Sequence, residues 1–407
     1  MNFEDYDYWE NEHMKDIYIV ESVRTGIAKA GKKSWFANLR ADDMSALVIN
    51  EAIRRAGLED AKDQIDDVIW GGTALMKDMG TNIGRYSGII AGLPYSVPGC
   101  TIDRFCSSGL QSIAFAVASI NMGWADLILA GGAQHMTHIP MGTMSDPNPR
   151  LKEFCDPQMV SMGYTAERIA RKYGITRKEQ DEMAVESHAK AHEATQKGLF
   201  KDEILPIYTD IPQEDGSTKK MVVDRDQGIR PTTTMETLAK LEPVFIKDEQ
   251  GTVTAGNSSQ TNDAAACLVV ASKEKCDELG LKPKMRLVEL SVVGVDPAYM
   301  GIGPAVAIPK VLKKAGLKKE DIGLWEVNEA FAAQAVYCTK ELGIRNHKLL
   351  NPKGSGISLG HPLGCTGARI ATTIMREMPF YGVKYAVESM CIGHGQGAAA
   401  IWEWVGK

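Results

Sequence analysis

Short apolar runs separated by helical patterns constrain this chain more than any other feature. Ile17-Tyr18-Ile19-Val20, Asp67-Val68-Ile69-Trp70 and Asp126-Leu127-Ile128-Leu129-Ala130 read as buried strands, the last two stopped by Gly71-Gly72 and Gly131-Gly132. Residues 42–56 between them read as a helix ended by Gly57. Strands alternating with helices predict βαβ units and a largely parallel sheet. The same texture resumes after Ala255: residues 266–271 and 285–290 are strand-like, and 386–391 and 398–405 close the chain as paired strands. Residues 134–253 are more polar, with helical patterns over 161–173 and 177–197, and read as an inserted loop domain rather than core. Residues 106–132 and 364–397 echo each other as small-residue turn, helix, strand and glycine-rich turn, an internal duplication.

Composition removes several classes of function. A formal net charge of -6 argues against nucleic-acid binding. No apolar run approaches the roughly 18 residues of a membrane span. Residues 1–13 are acidic and aromatic, unlike a secretory or mitochondrial leader. The 8 cysteines lie far apart without CxxC spacing, so free thiols in a reducing cytoplasm are expected.

Chemistry concentrates in three small-residue segments. In Arg104-Phe105-Cys106-Ser107-Ser108-Gly109 a cysteine precedes an apolar helix pattern, where the helix dipole is expected to lower the thiol pKa and present a nucleophile. In Gly360-His361-Pro362-Leu363-Gly364 a histidine sits among residues that hold an irregular backbone. In Cys391-Ile392-Gly393-His394-Gly395 a second cysteine ends a strand before a turn whose N–H groups suit an anionic oxygen. His188 and His192 have helical spacing for a metal pair. Their polar surroundings and the lack of a third ligand assign them to a solvated face, and no metal site is expected.

These segments, with Val23-Arg24-Thr25, residues 253–259, residues 294–304 and Asn328-Glu329-Ala330-Phe331, occur in the order of the thiolase family, which the chain resembles from about Ile17 to its end. The resemblance implies an α/β thiolase-like fold: two similar halves form a five-layer αβαβα core with an inserted loop domain. The expected division is 1–135 plus 261–283, an insertion at 136–260 for CoA, and 284–407. It further implies Cys106 as acyl-accepting nucleophile, His361 as its base, Asn328 supporting the enolate site, and Cys391 as the acid that protonates the leaving acetyl group. The N–H groups of Cys106 and Gly393 would form an oxyanion hole. Ser259 matches the pantetheine contact, Arg230 the nucleotide contact, and Met162 and Met300 the pocket methionines. His394 departs from the family's usual glycine or apolar residue; it is expected to meet a polar acyl substituent or tune Cys391. Gly26 and Gln134 also depart, at positions that do not touch the assigned chemistry.

The expected reaction is ping-pong cleavage of a 3-oxoacyl-CoA, with CoA as substrate and no permanently bound cofactor. Residues 131–141 are similar to bacterial β-oxidation thiolases, and Ser161-Met162-Gly163 stands where acetoacetyl-specific members often carry His-Met-Gly. The alternatives are an acetyl-CoA acetyltransferase, a thiolase acting on polar or dicarboxylic substrates, a ketoacyl synthase (with Cys-His-His in place of Cys106, His361 and Cys391), and a non-catalytic thiolase-like subunit. A homodimer or homotetramer is expected, with a β-oxidation multienzyme partner as a further option.

Overall fold

The computed structural model describes residues 15–143, 146–155, 161–213 and 215–406. The acidic segment 1–13 lies outside them. The first half carries β1 (Ile17–Thr25), β2 (Ala28–Lys29), α1 (Ala41–Ala56), β3 (Asp67–Gly71), α2 (Ile83–Ile90), β4 (Cys100–Ile102), α3 (Ser108–Asn121) and β5 (Leu127–His135). Next come α4 (Met162–Tyr173), α5 (Arg177–Gln196), β6 (Ile204–Leu205), the hairpin β7 (Ile207–Pro212) and β8 (Thr218–Val223), and α6 (Met235–Ala239). The chain then returns through β9 (Asn262–Ser272) and α7 (Lys273–Leu279). The second half carries β10 (Met285–Gly294), α8 (Gly303–Lys314), β11 (Leu324–Val327), α9 (Ala332–Glu341), α10 (Thr366–Tyr381), β12 (Tyr385–Ile392) and β13 (Gln396–Trp404).

The strand order is β11-β12-β13-β10-β1-β9-β5-β3-β4, joined across the middle at Ile19 and Met285. The halves repeat one topology. In the first, β3 runs parallel to β5, and β9 is antiparallel to both β5 and β1. In the second, β11 runs parallel to β12, and β13 is antiparallel to both β12 and β10. The sheet is therefore mixed, not largely parallel. The closing strand of the second half returns through the tight turn at residues 393–395, and a turn that short joins only antiparallel strands.

Both faces of each half are covered, so alternate residues enter different cores. On β13, Ala398, Ala400 and Trp402 join the central cluster, while Ala399 and Ile401 join the cluster under α8. On β5, Ile128 and Ala130 face the centre, and Leu127 and Leu129 face α1 and α2. The central layer is α3 and α10, contributing Ile113 and Ile120, and Ala368 and Ile374. The inserted region is not external to this core. Ala191 and Ala194 of α5, with Phe200 and Ile204, join the central cluster. Its polar residues misled the sequence reading because several are buried with partners. Glu203, fully buried, pairs with Arg24 at 2.7 Å and Lys353 at 3.0 Å.

Candidate active site

The site forms where α3 and α10 begin. A Cβ on Gly109 would lie 2.7 Å from the Ala368 nitrogen, and one on Gly367 would lie 2.2 Å from the Leu110 nitrogen. Only glycine lets the two helix starts touch backbone to backbone. That contact brings the Cys106 turn and the His361 loop to one place.

Cys106 lies in a 3-10 turn, Phe105–Ser107, that runs directly into α3. Phe105 before it is left-handed at φ 46°. Ser108 holds the turn: its Oγ accepts the Arg104 N–H at 2.8 Å and donates to the Phe105 carbonyl at 2.8 Å. The thiol is buried. Burial pushes it up to about 11, against backbone N–H bonds from Gly393 and Cys106 that pull it down. This corrects the expected depression: desolvation outweighs the helix start, and the resting nucleophile is a thiol that needs a base.

The base is held on its far side. The His361 N–H donates to Asn262 Oδ1 at 2.8 Å, and the Gly364 N–H donates to Gln134 Oε1 at 3.0 Å. Gln134, read as remote from the chemistry, thus anchors the histidine loop. Thr366 Oγ1 lies 2.7 Å from His361 Nδ1 and donates its own proton to the Pro362 carbonyl at 3.0 Å. It therefore accepts from Nδ1–H, which leaves the lone pair on Nε2. Among the described residues Nε2 is buried without a protein partner. The Asn328 side-chain amide sits 3.3 Å from His361 Nδ1; with Nδ1 protonated, the hydrogen-bond network turns the amide oxygen toward the ring and its NH2 away. Burial, aided by Arg369, lowers the imidazole to about 3, so it rests neutral.

Cys391, fully buried near the end of β12, is held well above its usual range, first by burial and then by Cys106 and Cys338. Glu329, beside Asn328, ties this region to α5: it accepts from Ser187 Oγ at 2.6 Å and from the Asn351 amide at 2.9 Å.

Cys106, His361, Cys391, Ser259, Met162 and Met300 all line one cavity of about 470 Å³. Gly393 reaches the site through its N–H on Cys106. The other residues fall elsewhere. Arg230 is exposed and outside the lining; its N–H donates to His188 Nδ1 at 3.2 Å. His188 is buried, not on a solvated face, because that bond gives its ring a partner inside. His394 is exposed, left-handed at φ 64°, and stacks on Phe105 with centroids 4.8 Å apart, outside the cavity lining. Sequence reasoning missed Thr366, Asn262 and Glu329. A hydroxyl in the first turn of the helix after the histidine loop was the available signal for Thr366.

This fold and site define a thiolase, and the comparisons agree. The family description "Thiolase, N-terminal domain" matches residues 17–274 and "Thiolase, C-terminal domain" matches 281–404. The chain belongs to the thiolase family. It is 46% identical over 395 residues to a 3-ketoacyl-CoA thiolase of Bacillus subtilis (strain 168), covering 96% of this chain and 100% of that protein. It is 43% identical to one from Marinobacter nauticus, covering 96% and 98%. Among solved structures, the Bacillus anthracis acetyl-CoA acetyltransferase superposes with a TM-score of 0.86 at 39% identity, covering 97% of this chain and 100% of that one. The dimeric peroxisomal thiolase of Saccharomyces cerevisiae gives 0.84 at 40% identity, covering 96% and 97%.

Proposed function

We propose that this protein catalyses CoA-dependent thiolytic cleavage of 3-oxoacyl-CoA through an acyl-Cys106 intermediate, as a β-oxidation-type thiolase. The observation that carries the reading is one cavity holding a buried thiol, a second buried thiol and a neutral imidazole whose Nε2 lacks a partner among the described residues. Cys106 sulfur attacks the 3-oxo carbon as His361 Nε2 takes its proton. The raised thiol and lowered imidazole make a resting ion pair costly, so proton transfer accompanies C–S bond formation. The bond between carbons 2 and 3 breaks, and its electron pair moves onto the acetyl thioester as an enolate. His361 Nε2–H and the Asn328 amide stabilise that oxygen; Cys391 S–H protonates carbon 2, and acetyl-CoA leaves. Cys391 thiolate then takes the proton of incoming CoA, whose sulfur attacks the acyl thioester. Cys106 leaves and recovers its proton from His361. The N–H groups of Cys106 and Gly393 receive the oxyanion in both acyl-transfer steps.

Ser259, Met162 and Met300 contact the acyl-pantetheine, and Arg230 contacts the nucleotide from the cavity's exterior. CoA is a substrate and no permanent cofactor is required. The inserted segment 136–260 serves CoA binding between halves 1–135 plus 261–283 and 284–407. A homodimer fits the dimeric yeast relative, and a cytoplasmic location fits the bacterial relatives. No described helix is long and apolar enough to cross a membrane. The B. anthracis likeness favours a second reading, acetyl-CoA acetyltransferase. A thiolysis assay with acetoacetyl-CoA and a long-chain 3-oxoacyl-CoA decides between them, with mass spectrometry of the acylated Cys106 peptide. Failure to cleave either substrate overturns the proposal.

A further inference from the structure

Outside the cavity, Asp78, His135 and His138 each offer a donor atom, and these atoms lie within 4.8 Å of one another. Asp78 sits in the 3-10 turn Lys77–Met79, His135 ends β5, and His138 follows in the next turn. The two imidazoles stack nearly parallel with centroids 3.9 Å apart.

Each ring is anchored through its outer nitrogen. His135 Nε2 bonds the Leu39 carbonyl at 2.8 Å, with the Phe36 carbonyl at 3.2 Å, and His138 Nε2 bonds the Ala37 carbonyl at 2.9 Å. A carbonyl only accepts, so both Nε2 atoms carry hydrogen and each ring turns its Nδ1 inward. Histidines that ligate metals are oriented in this way by an outer N–H bond to a carbonyl. His138 Nδ1 shares a proton with Asp78 Oδ2 at 2.7 Å, while His135 Nδ1 accepts the His138 N–H at 3.2 Å and lies 3.6 Å from Asp263 Oδ1; a metal would displace that proton and the backbone N–H, as metal binding to histidine releases protons. Asp78 is 4% exposed; its Oδ2 also accepts the Ala41 N–H at 2.9 Å, but its Oδ1 is buried with no partner among the described residues. Buried carboxylate oxygens in native proteins rarely go unpartnered. A surface cleft lined by Asp78, His138 and Thr137 gives access. Arg40 and Lys77 line it too, but their heads are engaged: Arg40 with Asp42 at 2.7 Å, and Lys77 with the His138 carbonyl at 2.8 Å.

We propose that Asp78, His135 and His138 form a binding site for a divalent transition metal of the zinc type, separate from the catalytic cavity. Two imidazole nitrogens and one carboxylate leave a further position open to water from the cleft. The ligands bracket Met136, which with Met141 lines the substrate cavity. The metal would tie this stretch of cavity wall to the turn carrying Asp78.

The test is equilibrium dialysis of the full chain against Zn²⁺, with metal content and thermal unfolding as readouts. The catalytic thiols also bind zinc, so Cys106→Ala/Cys391→Ala is run beside the wild type. One zinc retained per chain in the double-cysteine variant, lost in His138→Ala and in Asp78→Asn, supports the site. Zinc should also raise the unfolding midpoint of the double-cysteine variant and not that of its His138→Ala derivative. Circular dichroism establishes that each variant is folded; should His138→Ala fail to fold, His138→Gln replaces it. Zinc content that disappears with the two cysteines, or stays unchanged in folded His138 and Asp78 variants, overturns the proposal, as does no retained zinc at all. The last outcome would leave His138 and Asp78 as a plain hydrogen-bonded pair.

Discussion

The two halves of this molecule share a topology and use it differently. In each, a central helix starts beside the other and feeds a strand of the sheet: α3 leads to β5, and α10 to β12. The α3 start presents a nucleophile; the α10 start, with the end of β12, presents a base and a second thiol. The helices also differ in what they bury. The inward side of α3 is Leu110, Ile113, Ala116 and Ile120. On α10, Arg369 and Glu377 are buried beside Glu326 of β11 and Glu388 of β12, neighbours in strand register. A duplicated scaffold therefore assigns attack to the half whose central helix turns apolar residues inward and proton handling to the half whose central helix buries ionisable groups.

The largest effects should come from breaking that division of labour. Cys106→Ala should abolish the acyl-enzyme and cut turnover by at least about 10³-fold, because the chemical path is lost rather than weakened. Intact-protein mass spectrometry after mixing with substrate checks it. Cys391→Ala should instead still acylate when offered a simple acyl donor, yet fail to turn over 3-oxoacyl-CoA. Equal loss of acylation in both variants would erase the functional distinction between the halves.

Gly367→Val tests the contact that joins them. A side chain 2.2 Å from the Leu110 backbone nitrogen must push the helices apart, at about 3 kcal/mol or more. Denaturant unfolding measures this; a neutral result would mean that the helix starts can separate without loss.

Thr366→Val leaves His361 Nδ1 without its acceptor and should lower kcat about 10–100-fold, with Thr366→Ser restoring most of it. A change in KM alone would argue for a packing role instead.

The charged core of the second half predicts a pH signature that α3 lacks. Burial first, then Glu203, raises Glu377 to about 7, and burial with Glu377 also holds Glu326 well above the usual carboxylate range. A carboxyl raised in the folded state binds its proton more tightly there than in the unfolded chain. Its stabilising contribution is full below about 4.5 and is lost as pH rises through about 7. Thermal midpoints should fall between pH 5 and pH 8, and Glu377→Gln should flatten the decline. The smallest effect belongs to His394→Leu: an exposed ring stacked on Phe105 should change stability by less than about 1 kcal/mol and leave the acyl-chain profile intact. An altered profile would restore the expected role at the acyl group.

Much of this was legible in the chain. Cys106, His361 and Cys391 announce themselves because each interrupts a regular pattern with small residues. The strands read clearly because both faces are buried and the runs are nearly continuous. Strand direction was not legible, since an apolar run looks alike in parallel and antiparallel pairs. The burial of His188 and the core role of α5 were missed because their polarity is satisfied by partners distant in sequence, such as the Arg230 N–H on His188 and the Glu329 carboxylate on Ser187.

By itself the sequence determined the alternation of elements, the duplicated turns and the residue types at the reacting centre, because periodicity and backbone permissiveness are local properties. Only the tertiary structure decided that the resting thiol lies high and the imidazole low, that Thr366 sets the tautomer, and that His394 faces outward. Those outcomes depend on desolvation and on which hydrogen-bond partner lies within reach, quantities that exist only once separate segments share a volume.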